Sequence, residues 1–276
     1  MAYGLSDYLG GLASRRSRAL RVICVAYPIS IVLVGIVAVV AGGHVSVVGL
    51  AWGLASGIAG GFAVWTFYAA LTLGPMSVIS PVTAVIAAAL PLGVGLALGE
   101  RPGAGALTGA LLAVVATVLV SLEGEAEPAP RGADGHRLRL TGRVWALTLA
   151  AGVTFALFFI LLGMVPDGEG LWPVAASRVG ATLLMVAVAV RLRERVGPTW
   201  RLLAVGAAIA VCDAVANIAF YAATQMAMLS LVAVVAALYP AVTVLLAFVH
   251  GGERLRGVQL LGLVVGAAAV VLITLR

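Results

Sequence analysis

The chain has 276 residues, of which 63% are hydrophobic and only 10% are charged. A soluble domain of this length needs far more charge to cover its surface, so this composition excludes an ordinary soluble fold. The net charge of +6 comes from 17 arginines, with no lysine, and most of these arginines cluster between apolar runs. This pattern is typical of loop arginines that orient a membrane protein, and it argues against nucleic-acid binding.

Apolar runs of about 20 residues, the length that crosses a bilayer core as a helix, fill nearly the whole chain. We predict membrane spans at roughly 19–41, 48–72, 76–98, 104–122, 143–163, 172–190, 201–224, 229–249 and 257–275. The one long polar interval, "EGEAEPAPRGADGHRLRLTGR", is rich in Pro, Gly and mixed charge and predicts a solvated linker. The sequence therefore predicts an all-α polytopic membrane protein that a linker divides in two.

The two halves repeat each other in sequence. Residues 67–122 align without a gap to residues 220–275, with 18 of 56 positions identical, and both segments begin with "FYAA" and contain "GER". We predict a first repeat over residues 1–122, a linker over 123–142 and a second repeat over 143–276. Because each repeat has an odd number of spans, the second copy is inverted relative to the first, as in inverted-repeat transporters.

The first helix of the first repeat is shorter than its counterpart. The second repeat begins with the full helix "VWALTLAAGVTFALFFILLGM", whereas residues 1–12 are too few to span a bilayer. We expect a first helix that is truncated at the N-terminus, with the true start upstream. The alternative is a half-span that packs against its neighbours.

The two five-helix halves, the opening "YGLSDYLGGLASRR" and the "GER" that closes the fourth helix of each half resemble the EamA-type drug/metabolite transporter superfamily. The resemblance covers essentially the whole chain and implies a ten-helix transporter of two inverted repeats. It also implies a substrate cavity between helices 1–4 and 6–9, with helices 5 and 10 on the outside. It implies no particular substrate, since members move amino acids, other metabolites, sugars and drugs.

Small residues recur every four positions in several spans, which lets membrane helices approach closely. We interpret them as packing positions, and we expect span 48–72 to approach span 201–224. They are Gly53, Gly57 and Gly61 in span 48–72, Gly206, Ala210 and Ala214 in span 201–224, and the pairs Gly105/Gly109 and Gly262/Gly266.

Span 201–224 and the residue after it carry a stripe of polar side chains at four-residue spacing, namely Asp213, Asn217, Tyr221 and Gln225. This spacing puts them on one helix face, and polar groups in a membrane face the bundle interior or a wet cavity. The stripe is largely private to the second half, where Tyr221 matches Tyr68 of the first. It predicts a surface that binds substrate or protons, and a structural hydrogen-bond network is the alternative.

Arg178 lies inside span 172–190, where a buried arginine costs at least about 2.5–3.5 kcal/mol on insertion scales and needs a partner. Asp213 is the candidate partner by chemistry, and together they would form a structural bridge. If Arg178 instead faces a cavity, it is a site for a carboxylate or phosphate group. We predict that Asp213 is the most function-critical acid, either as a proton carrier or as the arginine's partner.

Three further acids complete the set of candidates. Asp7 and Tyr3 share a face of the first helix, so Asp7 is a second intramembrane acid if that helix is embedded and a solvated one if it frays. Glu100 and Glu253 close a span in each half beside arginines, and we interpret both as interfacial ion pairs.

The sequence contains no metal-ligand cluster, no phosphate-binding Gly-Lys loop and no "GxSxG" elbow, so we expect no catalytic residues, no cofactor and no enzyme. The leading hypothesis is a secondary transporter, an exporter rather than an importer, of a small polar or amphipathic metabolite in the bacterial cytoplasmic membrane. Coupling would use protons or exchange, and monomer and homodimer both remain open. The alternatives are an intramembrane enzyme acting on a lipid-linked substrate and a non-transporting membrane scaffold.

The arginines predict the orientation of the chain. In a ten-helix count, fourteen share one side of the membrane: Arg15, Arg16, Arg18, Arg21, Arg131, Arg137, Arg139, Arg143, Arg191, Arg193, Arg195, Arg201, Arg254 and Arg256. The other side has Arg101 and Arg276. The positive-inside rule then puts the linker in the cytoplasm and the C-terminus outside, although members of the resembled superfamily often have both termini inside.

Overall fold

The computed structural model describes residues 1–14, 19–74, 76–121, 140–194, 197, 199–251 and 257–275. Its regular elements over these residues are helices. They are α1 (Ala2–Ser14), α2 (Ala19–Ala41), α3 (Val47–Leu73), α4 (Met76–Ala97), α5 (Ala104–Ser121), α6 (Gly142–Gly163), α7 (Trp172–Arg191), α8 (Trp200–Thr224), α9 (Leu229–Ala236), α10 (Tyr239–Gly251) and α11 (Gly257–Thr274). Most of the predicted linker and the arginines at 15, 16, 18, 131, 137, 139, 195, 254, 256 and 276, together with Glu253, lie outside the described residues.

Nine segments in the described part of the chain are long and apolar enough to cross a membrane, and they correspond to the nine predicted spans. The protein is therefore a multi-pass, all-helical membrane protein across that part. The helix α1, with 13 residues, is not one of the nine.

The span predicted at 229–249 is interrupted in the middle. It consists of α9 and α10, which are separated by a turn at Ala237 and Leu238. Pro240 explains the break, because it has no N–H for a bond to the carbonyl of Ala236 and its ring collides with that carbonyl, the last of α9. The hydroxyl of Thr117 on α5 donates to the carbonyl of Ala237 at 3.5 Å, so a neighbouring helix serves a backbone group at the break.

The chain divides into two compact units, each built from segments on both sides of the linker. Unit 1 comprises Met1–Gly61 and Leu157–Ala227, and unit 2 comprises Phe62–Ala156 and Met228–Arg276. The units do not coincide with the sequence halves, since a compact unit is defined by contacts and a repeat by similarity. The boundaries of the two repeats stay a prediction.

In unit 1, α2 packs on α7 and α8, and α1 packs on α8. Residues of α2 and α8, Val22, Val25, Ala26, Leu202, Ile209 and Ala210, form the apolar core, on which Leu9 and Ala13 of α1 pack. Since Tyr3 at the start of α1 reaches Asn217 near the end of α8, the two helices run antiparallel.

In unit 2, α5 and α11 pack closely because their glycines remove the side chains between them. A Cβ on Gly109 would lie 2.9 Å from the carbonyl oxygen of Ala269, and a Cβ on Gly262 would lie 2.8 Å from the backbone nitrogen of Val120. The packing role predicted for these glycines agrees with this geometry.

Glu100 caps a helix and does not form the ion pair that the neighbouring Arg101 suggested. Its carboxylate accepts hydrogen bonds from the backbone N–H groups of Leu229 at 2.7 Å and Ser230 at 2.9 Å. These are the first residues of α9, whose N–H groups have no partner within the helix, so Glu100 caps that helix. The interpretation of Glu100 as an interfacial ion pair is therefore wrong.

Candidate functional site

An ion pair joins α7 and α8 in the interior of unit 1. Nη1 of Arg178 donates to Oδ2 of Asp213 at 2.9 Å and to Oδ1 at 3.2 Å. The side chain of Arg178 is 5% exposed and that of Asp213 is 16% exposed. Asp213 lies about 20 Å along the helix from Trp200 and about 16 Å from Thr224, so the pair sits near the middle of α8. Arg178 is therefore paired with Asp213, the candidate partner that its chemistry suggested.

The carboxylate of Asp213 accepts two more hydrogen bonds. Ser30 of α2 donates its hydroxyl to Oδ2 at 3.0 Å, and Asn217 donates Nδ2 to Oδ1 at 3.1 Å. The Asn217 amide also donates to the backbone carbonyl of Asp213 at 2.7 Å, and its own Oδ1 accepts the hydroxyl of Tyr3 at 3.1 Å. This network of α1, α2, α7 and α8 satisfies an ionised carboxylate, which favours the structural-bridge alternative for Asp213.

The rest of the Arg178 guanidinium lies among one hydroxyl and two rings. Nη2 donates to the hydroxyl of Ser177 at 3.0 Å, and the guanidinium carbon lies 5.9 Å from the ring centre of Tyr27 and 5.8 Å from that of Phe158. Such contacts stabilise a cation that has left water. Nε is buried and has no hydrogen-bond partner among the described residues. An unmade bond of a buried donor is costly, so this atom is a place for a water molecule or a ligand acceptor.

Glycines of α3 set the position of Arg178. A Cβ added at Gly57 would collide with the carbonyl of Ser177, and one added at Gly53 would collide with the carbonyl of Pro173. The small face of α3 therefore packs against α7 in unit 1. On α8, Gly206 faces Val25 of α2, where a Cβ would lie 2.8 Å from its Cγ1. The expectation that these small-residue faces of α3 and α8 meet each other is wrong, because each face packs on a different helix.

Two further residues of the polar stripe, Tyr221 and Gln225, form no hydrogen bond with the ion pair. The hydroxyl of Tyr221 is buried and has no hydrogen-bond partner in the described part of the chain. Gln225 follows the last residue of α8, and its Nε2 donates to the carbonyl of Val165 at 3.5 Å. Tyr68, which matches Tyr221 in the first half of the sequence, belongs to unit 2. Its side chain is 39% exposed, and its ring lies 6.0 Å from that of Phe67.

Asp7 lies on α1, one helical turn from Tyr3 and on the same face. Its side chain is exposed, and it forms no hydrogen bond or ion pair with any residue that the structure describes. Since α1 runs antiparallel to α8, Asp7 lies near the level of Asp213, so two carboxylates share this depth of unit 1. The structure thus brings Tyr3, Asp7, Arg178, Asp213 and Asn217 together in unit 1.

Sequence reasoning missed three members of this cluster, namely Tyr27, Ser30 and Ser177. Hydroxyls are common in membrane helices, so they carried little signal by themselves, although Ser177 adjoins Arg178, and Tyr27 and Ser30 lie one turn apart in the same span. It also missed a second network, in which Glu169 accepts the backbone N–H and the hydroxyl of Ser46 just before α3. Glu169 is 6% exposed and lies in the connection from α6 to α7.

The helices and this buried polar cluster define a class of protein, a multi-pass membrane protein with charged groups at membrane depth. The model of the EamA-like transporter family matches residues 141–275, and this match supports membership of the chain in the EamA, or drug/metabolite transporter, superfamily.

Among solved structures, one described as "Crystal structure of protein" is similar over 99% of this chain and 94% of its own, with a TM-score of 0.73 and 18% sequence identity. At that identity the likeness concerns the fold alone. No curated protein matches the chain in sequence.

Proposed function

We propose that the protein is a secondary transporter that moves a small polar or amphipathic metabolite by alternating access, in the direction of export. One observation carries this proposal: a charged network of Arg178, Asp213 and Asn217 lies at mid-depth in the spanning helices of a chain from a transporter family. Groups of this kind are expensive in a bilayer and mark substrate or ion pathways by default. The sequence has no ATP-binding segment, so we infer coupling to a proton gradient or exchange.

We also propose the architecture that alternating access needs, ten spans in two inverted repeats of five. Support comes from the ungapped match of residues 67–122 to 220–275, and from α1, which precedes nine candidate spans. In this count, α9 and α10 form one span, and α1 stands for the first. Inverted repeats supply two similar halves whose rocking exposes a site to alternate sides.

The proposed location is the bacterial cytoplasmic membrane, with the linker in the cytoplasm and the C-terminus outside. Arg21 at the start of α2 donates Nε to Oε1 of Glu194 after α7, at 2.6 Å. This ion pair supports an orientation in which the start of α2 and the end of α7 share one side. In the proposed topology that is the arginine-rich side, which faces the cytoplasm.

Transport by purified protein tests the proposal. Purified protein is first screened for heat stabilisation by amino acids, amines, nucleosides and sugars, and each stabilising compound is then tested for accumulation in reconstituted vesicles with an imposed pH gradient. We expect accumulation that needs the protein and collapses when the gradient is removed. Stabilisation without accumulation of any compound would contradict transport and favour the enzyme or scaffold alternatives.

A further inference from the structure

The charges at the depth of the ion pair do not balance. Arg178 and Asp213 neutralise each other, and Asp7 is then left as an unmatched negative charge. The sequences of α1, α2, α7 and α8 contain only three other charged residues, all near helix ends: Arg21, Arg191 and Arg201. Arg21 is moreover held by Glu194. The centre of unit 1 therefore carries a net charge of −1 when its acids are ionised.

The position of Asp7 indicates that this charge faces a ligand or water. Tyr3 and Asn217 fix the register of α1 on α8, which puts Asp7 beside the middle of α8 rather than at a helix end. Hydrocarbon cannot solvate a carboxylate, and the described residues offer this one no hydrogen-bond donor and no cation. Among the described residues no group matches this exposed acid, so a counter-ion that they do not supply, or water, must face it.

The surroundings select the kind of counter-ion. The ring of Tyr3 lies edge-on to Phe159, with centroids 6.3 Å apart, and Phe159 also contacts Phe158 and Phe220, at 5.2 and 4.8 Å. Tyr3 lies one helical turn from Asp7 on the same face, and an aromatic ring beside an unmatched acid favours an organic cation, whose charge it attracts. Resting on the transport function proposed above, we infer that the ligand of this site carries a positive charge, such as a protonated amine, and that Asp7 is its counter-ion.

Arg178 does not offer an equal site for an anion. Its charge is already neutralised by Asp213, and only Nε lacks a partner among the described residues. An anion there would be the third negative charge in the cluster, after Asp213 and Asp7, against the single positive charge of Arg178, and like charges repel in a low-dielectric interior. A carboxylate ligand is therefore the competing outcome of the test.

Three probes of one shape and different charge test this inference: benzylammonium, benzyl alcohol and benzoate at neutral pH and equal ionic strength. Binding to the purified chain in lipid nanodiscs is measured as a rise in melting temperature. We expect benzylammonium alone to bind, and at least about tenfold more weakly to the Asp7→Asn variant. Asp7→Glu should keep the binding, and Asp167→Asn, which removes an exposed loop acid of the same unit, should not change it.

Equal or stronger binding of benzoate or benzyl alcohol would overturn the inference, as would binding of none of the three or unchanged binding by Asp7→Asn. Asp7 forms no bond within the described chain, so the variant should fold as the original chain does, and its unliganded melting temperature checks this. Uptake of the same probes into vesicles separates the two proposals. Bound benzylammonium that is never taken up contradicts transport and leaves the charge inference standing, whereas uptake of benzoate supports transport and overturns the charge inference.

Discussion

Arg178 on α7 and Asp213 on α8 form an ion pair at 2.9 Å in the interior of unit 1, with the arginine side chain 5% exposed. Burying both charges costs desolvation energy, and the four hydrogen bonds that Asp213 accepts offset this cost. The pair therefore works as one neutral unit, and each partner depends on the other.

Loss of the Asp213 charge should destabilise the protein. In Asp213→Asn, Arg178 stays buried without a counter-ion, which costs about 3–5 kcal/mol in comparable buried pairs. We expect a lower folded yield and a lower melting temperature in detergent. The double variant Arg178→Met/Asp213→Leu removes both charges and should recover most of the yield. Normal yield of Asp213→Asn together with lost gradient-driven accumulation would instead identify Asp213 as a proton carrier.

The hydroxyl of Tyr3 should contribute to the attachment of α1. In Tyr3→Phe, the Oδ1 of Asn217, a residue that is 1% exposed, loses its donor at 3.1 Å. An unsatisfied buried acceptor costs about 1–3 kcal/mol, so the melting temperature should fall. Tyr8→Phe is the matched control, because no described residue bonds to that hydroxyl. Equal melting temperatures of the two variants would contradict a role for the Tyr3 hydroxyl.

A methyl group at Gly57 should separate α3 from α7. The added Cβ of Gly57→Ala meets the carbonyl of Ser177, which is backbone and cannot move aside, and overpacking of this kind costs about 1–3 kcal/mol. At Gly35 in α2 a Cβ has nothing within 4 Å, so Gly35→Ala should be neutral or slightly stabilising. Thermal unfolding of both variants measures the difference, and a Gly57→Ala protein as stable as Gly35→Ala would refute the close contact.

The cap that Glu100 provides should matter more than its neighbouring arginine. Glu100→Ala removes the acceptor for the N–H groups of Leu229 and Ser230, and the loss of a helix cap costs about 0.5–2 kcal/mol. Arg101→Ala should change little. Hydrogen exchange at the first turn of α9 should quicken in the first variant alone; equal effects of the two substitutions would restore the ion-pair interpretation.

The orientation can be tested in living cells. If the arginine-rich side is cytoplasmic, a C-terminal reporter that fluoresces only in the cytoplasm should stay dark, and the same reporter inserted in the linker should be bright. A bright C-terminal fusion would reject either the ten-span count or the orientation.

The sequence by itself determined the membrane class and the nine candidate spans, because the bilayer imposes a length and a polarity on every spanning helix. It also offered Asp213 as the candidate partner of Arg178, with a cavity-facing arginine as the alternative, since a charge that is alone in an apolar run needs an opposite one. These conclusions depend on local composition, so they can be reached without knowing how the helices pack.

Only the tertiary structure decided which helix faces meet. Gly57 faces α7 and not α8, Glu100 caps α9, and Ser30 joins the carboxylate of Asp213 from α2. A glycine face or a lone serine is compatible with many neighbours, and long-range packing chooses among them. The exposure of Asp7 was decided in the same way. Its spacing from Tyr3 predicts which face of α1 it shares, but whether it has a partner among the described residues depends on how α1 packs on α8.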